Sequence, residues 1–126
     1  MPARLFVYGT LMPGRMRWPA LERYAVAWRD ATVAGAIYDS GQGWPVAAFD
    51  ADAVAGGHVP GVLVELDAAR LDEALEVLDA VEDTATDALR RVEVLTADGA
   101  SAWAYHFPHP PDGLVRIDRW DTQLDR

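Results

Sequence analysis

Leu5-Phe6-Val7-Tyr8-Gly9-Thr10-Leu11-Met12-Pro13-Gly14 is the stretch on which the reading of this chain turns. Arg4 to Tyr8 has the β-branched and aromatic content of a buried strand, and Gly9 ends it. Met12-Pro13-Gly14 continues the turn. A buried strand that runs into a glycine turn can present backbone N–H groups to a small anionic ligand, because glycine lets the main chain approach closely. Strand-to-turn junctions of this kind also occur with no ligand attached.

Downstream, a short helix is predicted from Pro19 to Tyr24, with Pro19 at a tolerated first-turn position. From Ala25 to Tyr38 no charged face recurs at helical spacing and Gly35 sits near the middle, so the segment reads as one long strand or two short ones with a bend. Asp39 to Gly43 is turn chemistry, Trp44 to Phe49 a short strand, and Asp50 to Gly57 a loop. Val59 to Leu66 is the next strand, with Pro60 pointing to an edge or a strand start.

Asp67 is placed as N-cap of a helix running from Ala68 to about Val81. On it Leu71, Leu75 and Leu78 form an apolar stripe, and Glu82 continues that stripe one turn on. Two readings of Glu82 stand side by side. It is a solvated residue at a fraying helix end, or it is a carboxyl partly withdrawn from water, whose pKa then rises toward the range useful for proton transfer. Arg91 to Leu95 and Ala102 to Phe107 flank an Ala97-Asp98-Gly99 turn and read as a hairpin. The Pro-rich segment from Pro108 breaks regular structure, and the tail carrying Val115, Ile117 and Trp120 is expected to pack on the body. Strands before and after the long helix favour an α+β domain built on a curled sheet.

Composition narrows the chemistry. The chain has 126 residues, 51% of them hydrophobic, which suits one domain with one substantial core. It has no cysteine, so disulfides, thiolate metal sites and cysteine nucleophiles are excluded. All eleven basic residues are arginine, which removes Schiff-base lysines and lysine-dependent phosphate loops. A net charge of −9 argues against nucleic acid and anionic membrane surfaces as partners. No apolar run approaches a bilayer span and the first residues do not read as a signal peptide, so a cytoplasmic location is expected. His106 and His109 flank a proline break without the company of a metal site, and neither Ser40 nor Ser101 lies in a nucleophile-elbow setting. No metal and no cofactor are expected.

With those residues in view, the chain resembles the γ-glutamylcyclotransferase-like family, which includes the avirulence-induced-gene-2-like proteins. The resemblance runs in order through Val7-Tyr8-Gly9-Thr10-Leu11 with Gly14, Ile37-Tyr38-Asp39 with Trp44-Pro45, and Val59-Pro60-Gly61-Val62. It continues through Leu71, Leu78-Asp79-Ala80-Val81-Glu82, Arg90-Arg91-Val92 and Ala102-Trp103-Ala104-Tyr105. Two positions depart from the family pattern: Leu89 stands where tyrosine is often found, and Asp83 where glycine usually follows the glutamate.

The resemblance implies a small mixed β-barrel with flanking helices, spanning 1–126 as one domain with 108–126 as a tail packed on it. It implies an enzyme that releases 5-oxoproline and an amine or amino acid from a γ-glutamyl compound. Glu82 would be the general acid–base, and Tyr8, Gly9, Thr10, Leu11 and Tyr105 would bind the substrate. The nucleophile is then the substrate's own α-amine, so the lack of cysteine, lysine and a placed serine is no obstacle. The expected partner is a small γ-glutamyl molecule, and the expected state a monomer. The alternative is a non-catalytic domain of the same fold that binds a small carboxylate.

Overall fold

A computed structural model describes residues 2–49, 57–82, 88–110 and 112–120. Residues 50–56 of the expected loop, Asp83 and the last six residues lie outside the described residues. Eight strands are described: β1 (Arg4–Val7), β2 (Ala25–Ala34), β3 (Ala36–Asp39), β4 (Pro45–Ala48), β5 (His58–Leu66), β6 (Arg90–Leu95), β7 (Ser101–His106) and β8 (Val115–Ile117). Among the described residues two α-helices join them, α1 (Trp18–Glu22) and α2 (Leu71–Val81).

The strands form a five-stranded sheet in the order β2-β5-β1-β7-β6 and a three-stranded sheet in the order β4-β3-β8. β1 pairs antiparallel with β5 and parallel with β7, so the sheet is mixed. The α+β class agrees with the expectation. The barrel is not closed by a ladder: at one end the edge strands meet through a single Val33–Thr96 bridge and one hydrogen bond from Ala97 N to Thr32 O at 2.9 Å. β2 hands over to β3 at Gly35. A Cβ there would lie 2.6 Å from the Ala48 carbonyl oxygen and 2.9 Å from the Phe49 ring, so only glycine lets the chain leave the first sheet this close to β4.

β1 explains the unbroken apolar run at the start of the chain. Leu5 and Val7 belong to a core that also holds Leu75 and Leu78 of α2, while Phe6 and Tyr8 face a second core with Ile37 and Ala47. A strand with both faces buried must be apolar at every position, since successive side chains point to opposite faces. Leu5 and Phe6 are fully buried, each worth about 2 kcal/mol of stabilisation by burial.

Pro60 sits near the start of β5, an inner strand and not an edge. Pairing with β1 begins only at Val62, so the missing N–H costs no bond on that side. Asp67 caps as expected, its carboxylate accepting from Ala69 N at 3.1 Å, but it starts a single 3-10 turn (Ala68–Arg70) that passes into α2. In the tail, Trp120 is buried and Val115 is exposed, and the tail adds a strand, β8, along β3.

Candidate active site

β1 delivers Tyr8, Gly9, Thr10 and Leu11 into the interior, and all four are buried. The turn is held by Met12 N donating to Gly9 O at 3.0 Å and Arg17 N donating to Thr10 O at 2.8 Å. Gly9 packs flat on Pro45 of β4. A Cβ on it would come within 2.5 Å of the Pro45 ring, so any larger residue would push the turn off the second sheet.

Glu82 follows the last turn of α2, and its amide donates to Leu78 O at 2.9 Å. The apolar stripe carries it inward: Leu75 and Leu78 are buried and the Glu82 side chain is only 13% exposed. Burial pushes its carboxyl up from an ordinary value of 4.5 to about 7, against an opposing pull from the Arg17 guanidinium. That cation stands off at 3.9 Å and is shared with the face of Trp44, so it does not restore an ordinary acidity.

The strand end, the turn and the helix end meet. Phe6, Val7, Tyr8, Gly9, Thr10, Leu11, Glu82 and Tyr105 line one recess of about 20 Å³, room for about one water molecule. Every residue singled out from the sequence as a site candidate is therefore in one place. The Tyr8 hydroxyl donates to the Tyr105 carbonyl at 2.6 Å, and the Tyr105 hydroxyl donates to Asp79 Oδ1 at 2.8 Å. Burial, first, and the Glu82 charge, second, push the Tyr8 phenol above its usual range. Tyr105 is pushed the same way by burial and by its bond to Asp79. Both phenols therefore stay protonated near neutrality, whereas the Glu82 carboxyl on the same recess is raised to about 7. A carboxyl in that range can take a proton and return it.

A larger hollow of about 670 Å³ lies elsewhere, between β2, the start of β5 and Trp120, with Arg15, Arg29 and Arg119 around it. Its Asp98 carboxyl is held below its usual range by Thr96 and Arg29, the opposite direction from an acid–base group. Size thus favours one hollow and chemistry the other, and chemistry decides for the recess at Glu82. Among the described residues no cluster of three or more histidines, aspartates or glutamates is placed to hold a metal. His106 instead accepts from Phe49 N at 3.1 Å.

Neither Arg17 nor Asp79 was expected as a site residue, although Asp79 stands in the Leu78–Glu82 run that carries the resemblance. Nothing in the spacing of Arg17 points to Glu82, because the turn between them and Thr10 is what brings them together. Asp79 did carry a signal: three residues before Glu82 on a helix, it shares that side of α2. Leu89, in the position where tyrosine was often expected, is buried in the core beside α2 and offers no polar group there.

A family model described as gamma-glutamyl cyclotransferase, AIG2-like matches residues 5–122. A comparison with curated proteins gives no match. Among solved structures, an AIG2-like protein from Mus musculus superposes with a TM-score of 0.75 at 20% identity, over 94% of this chain and 88% of that one. An uncharacterized protein from Pyrococcus horikoshii superposes with a TM-score of 0.65 at 23% identity, over 98% and 88%. A protein named gamma-glutamyl cyclotransferase gives 0.51 at 14% identity, over 90% and 68%. At these identities the likeness to the solved structures is one of fold.

Proposed function

The chain belongs to the gamma-glutamyl cyclotransferase, AIG2-like family, and from that premise we propose that it cyclises a γ-glutamyl compound to 5-oxoproline with Glu82 as general acid–base. The observation that carries this reading is a single buried carboxyl, with a pKa of about 7, on the same recess as the Tyr8–Leu11 turn.

The chemistry asks little of the protein beyond placement. Ionised Glu82 takes a proton from the substrate's α-ammonium. The freed amine attacks the γ-carbonyl carbon, forming the ring C–N bond, and the carbonyl oxygen takes up negative charge. Amide hydrogens of the Gly9–Leu11 turn stabilise that charge or hold the substrate carboxylate. As the tetrahedral centre collapses, protonated Glu82 gives its proton to the leaving nitrogen and the old C–N bond breaks; Glu82, ionised again, takes the second proton from the ring nitrogen and passes it to the departing amine, so that neutral 5-oxoproline and an ammonium leave. The attack is intramolecular, so holding the substrate folded removes much of the entropic barrier. Tyr8 and Tyr105 shape the recess as protonated phenols.

The recess at its present size is smaller than a glutamyl group, so binding must widen it. That same small volume favours the rival reading, a non-catalytic domain that binds a small carboxylate. Incubation of the purified protein with a panel of γ-glutamyl amines and γ-glutamyl amino acids, with 5-oxoproline measured in each, separates the two. Release that disappears in Glu82→Gln supports catalysis, and binding without release supports the rival.

A further inference from the structure

Asp79 lies one helical turn before Glu82, and two side chains converge on it from the neighbouring sheet. Arg91 on β6 and Tyr105 on β7 sit directly opposite each other in the ladder. Both reach up to the same carboxylate. Arg91 donates through Nε to Oδ1 at 3.0 Å and through Nη2 to Oδ2 at 3.3 Å, and Tyr105 donates through its hydroxyl to Oδ1 at 2.8 Å. The Arg91 guanidinium lies 4.6 Å over the Trp103 ring, which fixes the plane of its two-pronged contact. Arginine has only donors to offer, so both Asp79 oxygens act as acceptors in this cluster.

The consequence falls on Tyr105. A phenol has one proton, and here it is committed to Asp79. The remaining lone pairs of the oxygen can then only accept, and a phenol that donates to a charged acceptor becomes a better acceptor itself. Tyr105 also lines the recess, where the Glu82 carboxylate acts through space on its hydroxyl. The wall beside Glu82 therefore carries an acceptor, where a phenol free to rotate would offer either a donor or an acceptor.

We propose that Asp79 is a positioning residue which, by taking the Tyr105 proton, turns the Tyr105 oxygen into an acceptor for a cationic amine, so that the recess selects ligands with an α-ammonium group over their des-amino counterparts. This rests on reading the recess as a γ-glutamyl site, and it assigns which wall reads the amine. Glu82 needs that amine close by, and an acceptor beside it holds the nitrogen where its proton can be passed.

The test uses the Glu82→Gln protein, which cannot shuttle the proton. Its affinities for L-glutamine, the simplest γ-glutamyl amide, and for 5-amino-5-oxopentanoate, the same molecule without its α-amine, are measured by NMR titration. The expected result is a preference for glutamine of at least about tenfold. Adding Asp79→Ala should bring that preference close to parity with little change for the des-amino ligand, because the Tyr105 proton loses its acceptor and is free to turn toward the recess. Should Asp79→Ala fail to fold with Arg91 left unpaired, Tyr105→Phe removes only the hydroxyl, leaves the Asp79–Arg91 pair in place, and should lose the same preference. A purely structural Asp79 would lower stability and leave the preference intact in both variants, which overturns the proposal. So does the absence of any preference, or of any binding, in the Glu82→Gln protein. If the wild-type protein releases no 5-oxoproline while the Asp79-dependent preference is present, catalysis fails and the amine-reading wall stands.

Discussion

The two ends of α2 each hold a glutamate beside a tyrosine and an arginine, and they treat it in opposite ways. Glu73, in the first turn, is 58% exposed, accepts from the Tyr24 hydroxyl at 2.7 Å and from Arg70 at 3.1 Å, and these partners hold its carboxyl below the usual range. Glu82, nine positions on and so on the opposite side of the helix, is 13% exposed with its cation at 3.9 Å, and its carboxyl rises to about 7. The same residue type has its carboxyl lowered by its partners at one end of the helix and raised by burial at the other. The difference lies in what packs over each end: solvent and a polar rim over Glu73, the β1 turn over Glu82.

The strongest way to break this contrast is Glu82→Gln, which keeps shape and removes the proton. Release of 5-oxoproline should fall by about 10²- to 10⁴-fold, and Glu73→Gln should leave it unchanged. Equal losses in both variants, measured as kcat on one γ-glutamyl substrate, would dissolve the contrast.

Stability against pH sharpens it, because the two shifts have opposite signs. Folded Glu82 binds its proton more tightly than the unfolded chain does, so between about 4.5 and 7 the folded state holds the extra proton. Its contribution is complete below 4.5 and lost as pH rises to about 7, at a cost of about 3 kcal/mol. Glu73, with its lowered carboxyl, contributes above its unfolded value and loses that contribution as pH falls. Denaturant melts from pH 3 to 8 should therefore show Glu82→Gln flattening the decline across the neutral window and Glu73→Gln flattening the acid one.

A smaller effect is expected at Arg17. Replacing it by glutamine leaves burial of Glu82 unopposed, and the acid limb of kcat/KM should move up by about half a unit. A limb that stays in place would mean that Arg17 does not act on Glu82 in solution. Smallest of all, Tyr24→Phe should lower the denaturant midpoint slightly and leave turnover untouched, since its hydroxyl serves Glu73 alone of the two carboxylates.

Much of this was legible in the chain because it rests on local rules. The two-sided burial of β1 is written in Leu5 to Tyr8, the corner after β2 in Gly35, the start of the helical segment in Asp67, and the hairpin of β6 and β7 in the turn around Gly99. What escaped was non-local. β8 has only three residues, with Arg116 between Val115 and Ile117, and it exists because β3 offers an edge. The open arrangement of two sheets, where one small barrel was expected, is a matter of strand pairing: β2 and β6 meet through one bridge, while β3 pairs with β4 and β8. Arg17 meets Glu82 only after the turn has formed.

Taken alone, then, the order of residues determined an α+β chain with a glycine turn after its first strand and a carboxylate at the end of an apolar helical stripe. Whether that carboxylate would be wet or dry it left open, since the last turn of a helix faces whatever the rest of the chain lays upon it. Only the packing of β1 and its turn against the end of α2 removed water from Glu82. Desolvation is a property of everything around a group, and no stretch of sequence contains its own surroundings.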